Sequence, residues 1–191
     1  MTDISAALIA GVDEVGRGPL AGPVVTAAVI LPEQYNLPGL TDSKKLSATK
    51  RECLAELIKQ QSVCWCLASA SIDEIDQLNI LQATMLAMQR AVADLQVRPL
   101  KVLVDGNRAP EFGIPSETIV GGDGKEDCIS AASVVAKVAR DEMMREFSAR
   151  YPEYGWDRNS GYPTKQHLQA LQDFGVTEYH RRSFAPVAKL L

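Results

Sequence analysis

Apolar residues recur along the chain in two rhythms. Short runs of small and β-branched residues read as buried strands, and longer stretches with apolar residues three or four apart read as helices. Ala6, Ala7, Leu8, Ile9 and Ala10 predict a first buried strand, which runs into Gly11-Val12-Asp13-Glu14-Val15-Gly16-Arg17-Gly18. Residues 22–31, rich in β-branched side chains, predict a second strand ended by Pro32. A helix follows, with Ser47 as N-cap and Cys53, Leu54, Leu57 and Ile58 on its inner face. Residues 63–70 predict a third strand, and Ser71-Ile72-Asp73-Glu74 is a capping box that opens a helical region. There Leu81, Met85, Met88, Val92 and Leu95 form a stripe expected to face the core. Pro99 breaks that helix.

Residues 101–107 predict a buried strand ending in Asp105 and a turn, and residues 118–120 predict another, followed by Gly121-Gly122-Asp123-Gly124. A long helix begins near Asp127, with Ile129, Ala132, Ala136, Ala139, Met143 and Phe147 on one side. Its alanines imply close packing against a sheet. Residues 151–162 are expected as a loop, and Thr164 as the cap of a last helix through Phe174. Two adjacent early strands suggest a hairpin, and later strands separated by helices suggest parallel pairing. The expectation is an α/β fold: a mixed sheet flanked by helices.

Length and composition narrow this picture. At 191 residues, with no repeat or linker, the chain is expected to form a single domain over residues 1–191, roughly 164–191 being a helical, basic extension packed on it. No apolar run is long enough to cross a bilayer, and the first nine residues carry Asp3 and no basic region. Membrane insertion and secretion are not expected, and the cytoplasm is. Cys53, Cys64, Cys66 and Cys128 contain no Cys-x-x-Cys and read as reduced thiols. The net charge of −4 argues mildly against a nucleic-acid partner. Local clusters soften that: Lys44, Lys45, Lys50 and Arg51 in one, His180, Arg181, Arg182 and Lys189 in another.

Four acids share one description. Asp13, Glu14, Asp105 and Asp123 each stand at or just after a predicted strand end, beside glycine. Ligands of α/β sheets gather there. Neighbouring carboxylates repel unless a cation holds them, and an oxygen-rich, histidine-poor set favours Mg²⁺ or Mn²⁺. Two such ions suit in-line attack of water on a phosphodiester. Taken singly, each acid reads better as part of a polar turn, with Arg17 neutralising Asp13 or Glu14. As a set they point to a metal site. One geometric question stays open: neighbours on a regular strand face opposite ways, so Asp13 and Glu14 share a site only if the strand ends or twists between them.

The motifs are those of a family. Residues 11–24, Asp42-Ser43-Lys44-Lys45-Leu46, Val104-Asp105-Gly106-Asn107, Gly122-Asp123, residues 130–138, Ser160-Gly161-Tyr162-Pro163-Thr164 and His180-Arg181-Arg182-Ser183-Phe184 occur in order. The chain resembles the bacterial type 2 ribonucleases H, the ribonuclease HII family, over nearly its whole length.

The resemblance implies a ribonuclease H-like fold with a five-stranded mixed sheet and a helical C-terminal region. It implies cleavage of the RNA strand of RNA–DNA hybrids and cutting 5′ of single ribonucleotides in duplex DNA, leaving 3′-hydroxyl and 5′-phosphate ends. The implied roles are ribonucleotide removal from DNA and RNA primer removal. It assigns Asp13, Glu14, Asp105 and Asp123 as catalytic metal ligands for Mn²⁺ or Mg²⁺, two ions in the catalytic complex. Gly16, Arg17 and Gly18 would contact the ribonucleotide 2′-hydroxyl and its phosphate, a group that separates RNA from DNA at one position. Tyr162 would pack on the sugar of the next deoxynucleotide. Ser43, Lys44 and Lys45 would contact phosphates. His167 and His180 are not expected to be ligands; Arg181 and Arg182 support either nucleic-acid binding or C-terminal packing. A monomer is expected, without an evident sliding-clamp tail after Phe184. Two other classes compete: a related nuclease for branched or single-stranded DNA, and a non-catalytic nucleotide- or metal-binding module. The Gly-Arg-Gly turn with Tyr162 disfavours the first; the missing phosphate-loop and dinucleotide glycine patterns disfavour the second.

Overall fold

A computed structural model describes residues 8–40 and 46–191. Ala6 and Ala7 of the expected first strand, and Ser43, Lys44 and Lys45, lie outside the described residues. In chain order the elements are β1 (Ile9–Val15), β2 (Val24–Ile30), α1 (Ala48–Gln61), β3 (Cys64–Ala70), α2 (Ile72–Leu78), α3 (Ile80–Ala93), β4 (Lys101–Asp105), β5 (Ser116–Ile119), α4 (Asp127–Arg150), α5 (Trp156–Asn159), α6 (Lys165–Phe174) and α7 (Ala185–Ala188). The strands form one five-stranded sheet in the order β3-β2-β1-β4-β5. β1, β2 and β3 pair antiparallel, whereas β1, β4 and β5 run parallel.

Each sheet face is covered by helices, as the alternation of side chains along β1 and β2 requires. Ala27 and Val29 pack with Leu54, Ala55 and Ile58 of α1 and the alanines and valines of α4. Ala10, Val12, Ala28 and Ile30 pack on the opposite face with Met88, Ala91 and Val92 of α3. Since both faces are covered, all seven residues of β2 are buried, which explains a continuous apolar run rather than an alternating one.

Gly11 sets the spacing on the α4 side. A Cβ built there would fall 2.1 Å from the Cys128 carbonyl carbon and 2.3 Å from the Ile129 nitrogen. Only a residue without a side chain lets helix and strand approach so closely.

Several local expectations are corrected. The first strand extends to Val15, so Asp13 and Glu14 lie within it and not beyond its end. The helical region after Ser71 is two helices. Asn79, at φ 72°, ends α2 and caps α3 through its Oδ1, which accepts from the N–H groups of Leu81 and Gln82. Cys53 is exposed, and Ala55 takes the inward place on α1. Beyond Ala136 the inner face of α4 runs through Arg140, Met144 and Ser148, not Ala139, Met143 and Phe147. An arginine was the inward residue at that turn, and a charge-based pattern places arginine outside.

Residues 151–162 are not an open loop either. Tyr154 and Trp156 stack with centroids 5.0 Å apart and are fully buried. They belong to a third core, with Leu20, Ala21, Met144, Leu171 and Val187, where the last helices meet the segment that follows β1.

Candidate active site

The parallel pairing of β1 with β4 places the two strongest candidates. Val12 pairs with Val104, so the next residues, Asp13 and Asp105, stand side by side where β4 ends and β1 runs on to Val15. Asp105 Oδ1 accepts the backbone N–H of Gly122 at 2.7 Å and that of Asp123 at 3.4 Å. That bond ties the turn at Gly122–Gly124 to β4 and brings Asp123 to the same end. A Cβ at Gly122 would lie 2.6 Å from the tip of the Ile129 side chain, which would have to shift. The Asp123 carbonyl in turn accepts from Ser130 Oγ of α4.

The open question about Asp13 and Glu14 resolves into two faces. Gly11 and Val15 meet the α4 side, so Asp13 faces α4, where the Ser133 hydroxyl hydrogen-bonds its carboxylate. Its Oδ1 also accepts the Glu14 N–H at 2.8 Å. Glu14 points the other way, towards α3. It lines a cleft of about 380 Å³ with Arg17, Leu81, Met85, Met88 and the residues Asp105, Gly106, Asn107 and Arg108. The upper end of the expected core stripe, Leu81 and Met85, therefore borders this cleft and is only half-buried. Asp105, the last residue of β4, raises the pKa of both Asp13 and Glu14.

Negative charge is under-compensated here. Asp13 is 6 % exposed, and its carboxyl is pushed up to about 8, first by burial, then by the charges of Glu14 and Asp105. Burial also raises Glu14, against the pull of Arg17, whose Nη1 donates to Oε1 at 3.2 Å. Glu14 Oε2 is buried with no hydrogen-bond partner. A buried carboxylate oxygen without a donor calls for a cation. Among the described residues, however, no three His, Cys, Asp or Glu side chains are gathered tightly enough to hold an ion as they stand.

Beside the acids lies the glycine turn. Gly16 is buried at φ +95°, while Arg17 and Gly18 are exposed. Tyr162, 46 % exposed, lays its ring edge against Gly18, where a Cβ would come within 3.2 Å of Cε1. The turn and the tyrosine thus form one surface next to Glu14.

What organises this surface is buried, and the sequence motifs hid it. Arg140 donates to the carbonyls of Pro23, Ser160 and Ala21 at 3.0–3.1 Å. Arg181 donates to those of Gly22, Arg17 and Gly16 at 2.5–3.0 Å. Both are wholly buried. His167 and His180 are buried too. His167 Nδ1 donates to the Tyr162 carbonyl at 2.9 Å, which leaves Nε2 to accept from Trp156 and His180, each at 3.0 Å. His180 Nδ1 then accepts the Thr177 N–H. Every ring nitrogen is used by neutral histidines, so neither is a ligand. Of the expected basic cluster, His180 and Arg181 face inward, and only Arg182 and Lys189 are exposed.

A sequence profile described as Ribonuclease HII matches residues 10–187. The chain belongs to the ribonuclease HII family. It is 61% identical over 185 residues to the ribonuclease HII of Neisseria meningitidis serogroup A, covering 96% of this chain and 95% of that one. Among solved structures it is similar to the ribonuclease H2 of Pyrococcus horikoshii, with TM-score 0.80 and 26% identity over 95% of this chain and 96% of the other. It also resembles the ribonuclease HII of Archaeoglobus fulgidus, solved in complex with PCNA, with TM-score 0.77 and 25% identity over 91% and 93%. As a ribonuclease HII the protein is an endonuclease acting on RNA–DNA hybrids, on a ribonuclease H-like fold. None of its described helices is long and apolar enough to cross a membrane.

Proposed function

We propose that this ribonuclease H also cuts 5′ of single ribonucleotides embedded in duplex DNA, and that it does so with two divalent ions at Asp13, Glu14, Asp105 and Asp123. The observation that carries the reading is the juxtaposition of under-compensated acids with a turn and an aromatic ring suited to ribose. The unpartnered Glu14 Oε2 and the raised Asp13 carboxyl fit a divalent cation, and all-oxygen donors favour Mg²⁺ or Mn²⁺. When bound, such ions supply Lewis acidity for in-line hydrolysis of a phosphodiester, leaving 3′-hydroxyl and 5′-phosphate ends.

The chain's own residues do the rest. Asp13 is held by Ser133 and the Glu14 N–H, and Asp105 by the Gly122 N–H, so both carboxylates are oriented before substrate arrives. The exposed backbone of Arg17 and Gly18 meets the 2′-hydroxyl and its phosphate, and the Arg17 side chain adds a cation. Tyr162 packs on the deoxyribose that follows, where a 2′-hydroxyl would crowd the ring. In the cell this activity serves ribonucleotide removal from DNA and RNA primer removal.

A DNA duplex bearing one ribonucleotide, offered with Mn²⁺ or Mg²⁺, tests the reading. The expected product is a nick on the 5′ side of the ribonucleotide. An intact duplex under both metals, while a long hybrid is degraded, would refute it.

A further inference from the structure

Arg140 and Arg181 present an unusual pair. Each is a fully buried guanidinium whose donors go to backbone carbonyls, and among the described residues neither has a carboxylate within ion-pair distance. Burial lowers both, to about 10 and about 9, and each keeps its proton at neutral pH. Charges are seldom buried without a counter-charge. The carbonyls they hold belong to two segments, residues 16–23 and residue 160, which flank the exposed face of the turn and of Tyr162.

The peptide geometry gives this a direction. Arg181 Nη2 takes the Gly16 carbonyl at 2.5 Å and Nη1 the Arg17 carbonyl at 3.0 Å. In a trans peptide the N–H points opposite to the C=O, and no cis peptide is present among the described residues. With both carbonyls drawn inward, the N–H groups of Arg17 and Gly18 are turned outward. Neither donates to an acceptor among the described residues, and both residues are exposed. The left-handed Gly16 makes the paired orientation attainable, as in backbone nests that bind anions. A larger residue at 16 would also displace Arg140, whose Nε would lie 2.2 Å from its Cβ.

Arg140 ties the second half of the surface to the first. It bridges Ala21 and Pro23 to Ser160, and the Leu20 N–H donates to the Gly161 carbonyl at 2.8 Å. Tyr162 is thereby held in register with Gly18.

We propose that Arg181, buttressed by Arg140, is a positioning residue for substrate recognition: it turns the Arg17 and Gly18 amides outward as a two-donor cradle for a backbone phosphate or ribose hydroxyl. Its buried charge also polarises those peptides towards an anion, beside the exposed Arg17 side chain. The inference rests on the proposed ribonucleotide reading and concerns how its surface is built.

Two experiments test it. In ¹⁵N-labelled wild-type protein with EDTA, titration with a duplex bearing one ribonucleotide should move the Arg17 and Gly18 amide protons downfield, among the largest shifts in the spectrum. In kinetics with Mn²⁺, Arg181→Met should raise KM about 10- to 100-fold, the loss expected for one or two charge-assisted bonds, and change kcat by less than about threefold. Arg181→Lys keeps the charge but lacks the fork that spans two carbonyls, and should give an intermediate KM. A purely structural role would lower the melting temperature without this split. If the wild type nicks the substrate but its Arg17 and Gly18 amides do not respond, the inference fails while the ribonucleotide reading stands. A folded Arg181→Met enzyme with wild-type KM overturns it equally. Should the variants not fold, the amide response decides alone. Absence of nicking by the wild type refutes the underlying reading instead.

Discussion

Asparagine in place of Asp13 should stabilise the metal-free protein while removing its activity. The native carboxyl sits at about 8, against 3.8 in the unfolded chain. A carboxyl whose pKa is raised by folding binds more protons in the native state, so its contribution is intact below pH 3.8 and is lost as pH rises through 8. At 1.36 kcal/mol per unit, keeping this carboxyl protonated in the native state while the unfolded chain ionises it costs up to about 4 kcal/mol at pH 7, and between about 1 and 2 kcal/mol at pH 5. Asparagine keeps an oxygen to accept the Glu14 N–H and a group to meet Ser133, but carries no charge. For a chain of this size, the pH 7 gain corresponds to a melting temperature higher by roughly 8–16 °C as a ceiling. Melting curves in EDTA at pH 5, 6, 7 and 8 give the direct measure: the difference between variant and wild type should widen with pH. Mn²⁺ should raise the wild-type melting temperature by mass action and the variant's far less. A gain that does not grow with pH, or a variant less stable than wild type at pH 8, would refute the electrostatic account of this site.

Other expectations follow from neighbouring features. Gly11→Ala forces α4 away from β1 because the new Cβ meets helix backbone at 2.1 Å; a loss of about 1–3 kcal/mol in urea unfolding is expected, with reduced activity because Ser133 rides on the same helix. Burial holds His180 down at about 3 and lowers His167 from its ordinary 6.5, and for His180 the neighbouring His167 adds to the effect. The unfolded chain then binds more protons, so this contribution is complete above pH 6.5 and lost as pH falls towards 3. The urea midpoint of a His180→Gln variant should accordingly fall less between pH 7 and pH 4 than that of the wild type; parallel curves would count against a neutral pair. Tyr162→Ala should impair cleavage at a single ribonucleotide about tenfold more than cleavage of a long hybrid, since only the former presents a deoxyribose directly beyond the cut; equal losses would remove its role at the junction.

The parts of this fold governed by local pattern were legible beforehand. The five strands, the hairpin of β1 and β2, and the helices on both faces follow from β-branched runs and apolar periodicity. The adjacency of Asp13 and Asp105 followed once β1 and β4 were neighbours, which sequence poses only as a condition. Polar residues used against their type were not legible. Arg140 occupies an inward position on α4 because backbone carbonyls, not carboxylates, satisfy it, and no local pattern announces such a partner 117 residues away. Asn79 breaks one helical stretch in two through a left-handed backbone and its own cap. The opposed directions of Asp13 and Glu14 are a consequence of β1 continuing to Val15, and strand ends are where sequence patterns are weakest.

The bonds from Arg181 to Gly16, Arg17 and Gly22 span 165, 164 and 159 residues. During synthesis at 5–20 residues per second, the turn beside Glu14 exists for roughly ten to thirty seconds before the side chain that organises it has been made. A growing chain thus displays its acids and its glycine turn early, but not in working order. The bonds that hold the turn's carbonyls therefore wait on residue 181, and a nascent chain that has not reached it carries the turn without the guanidinium that fixes it.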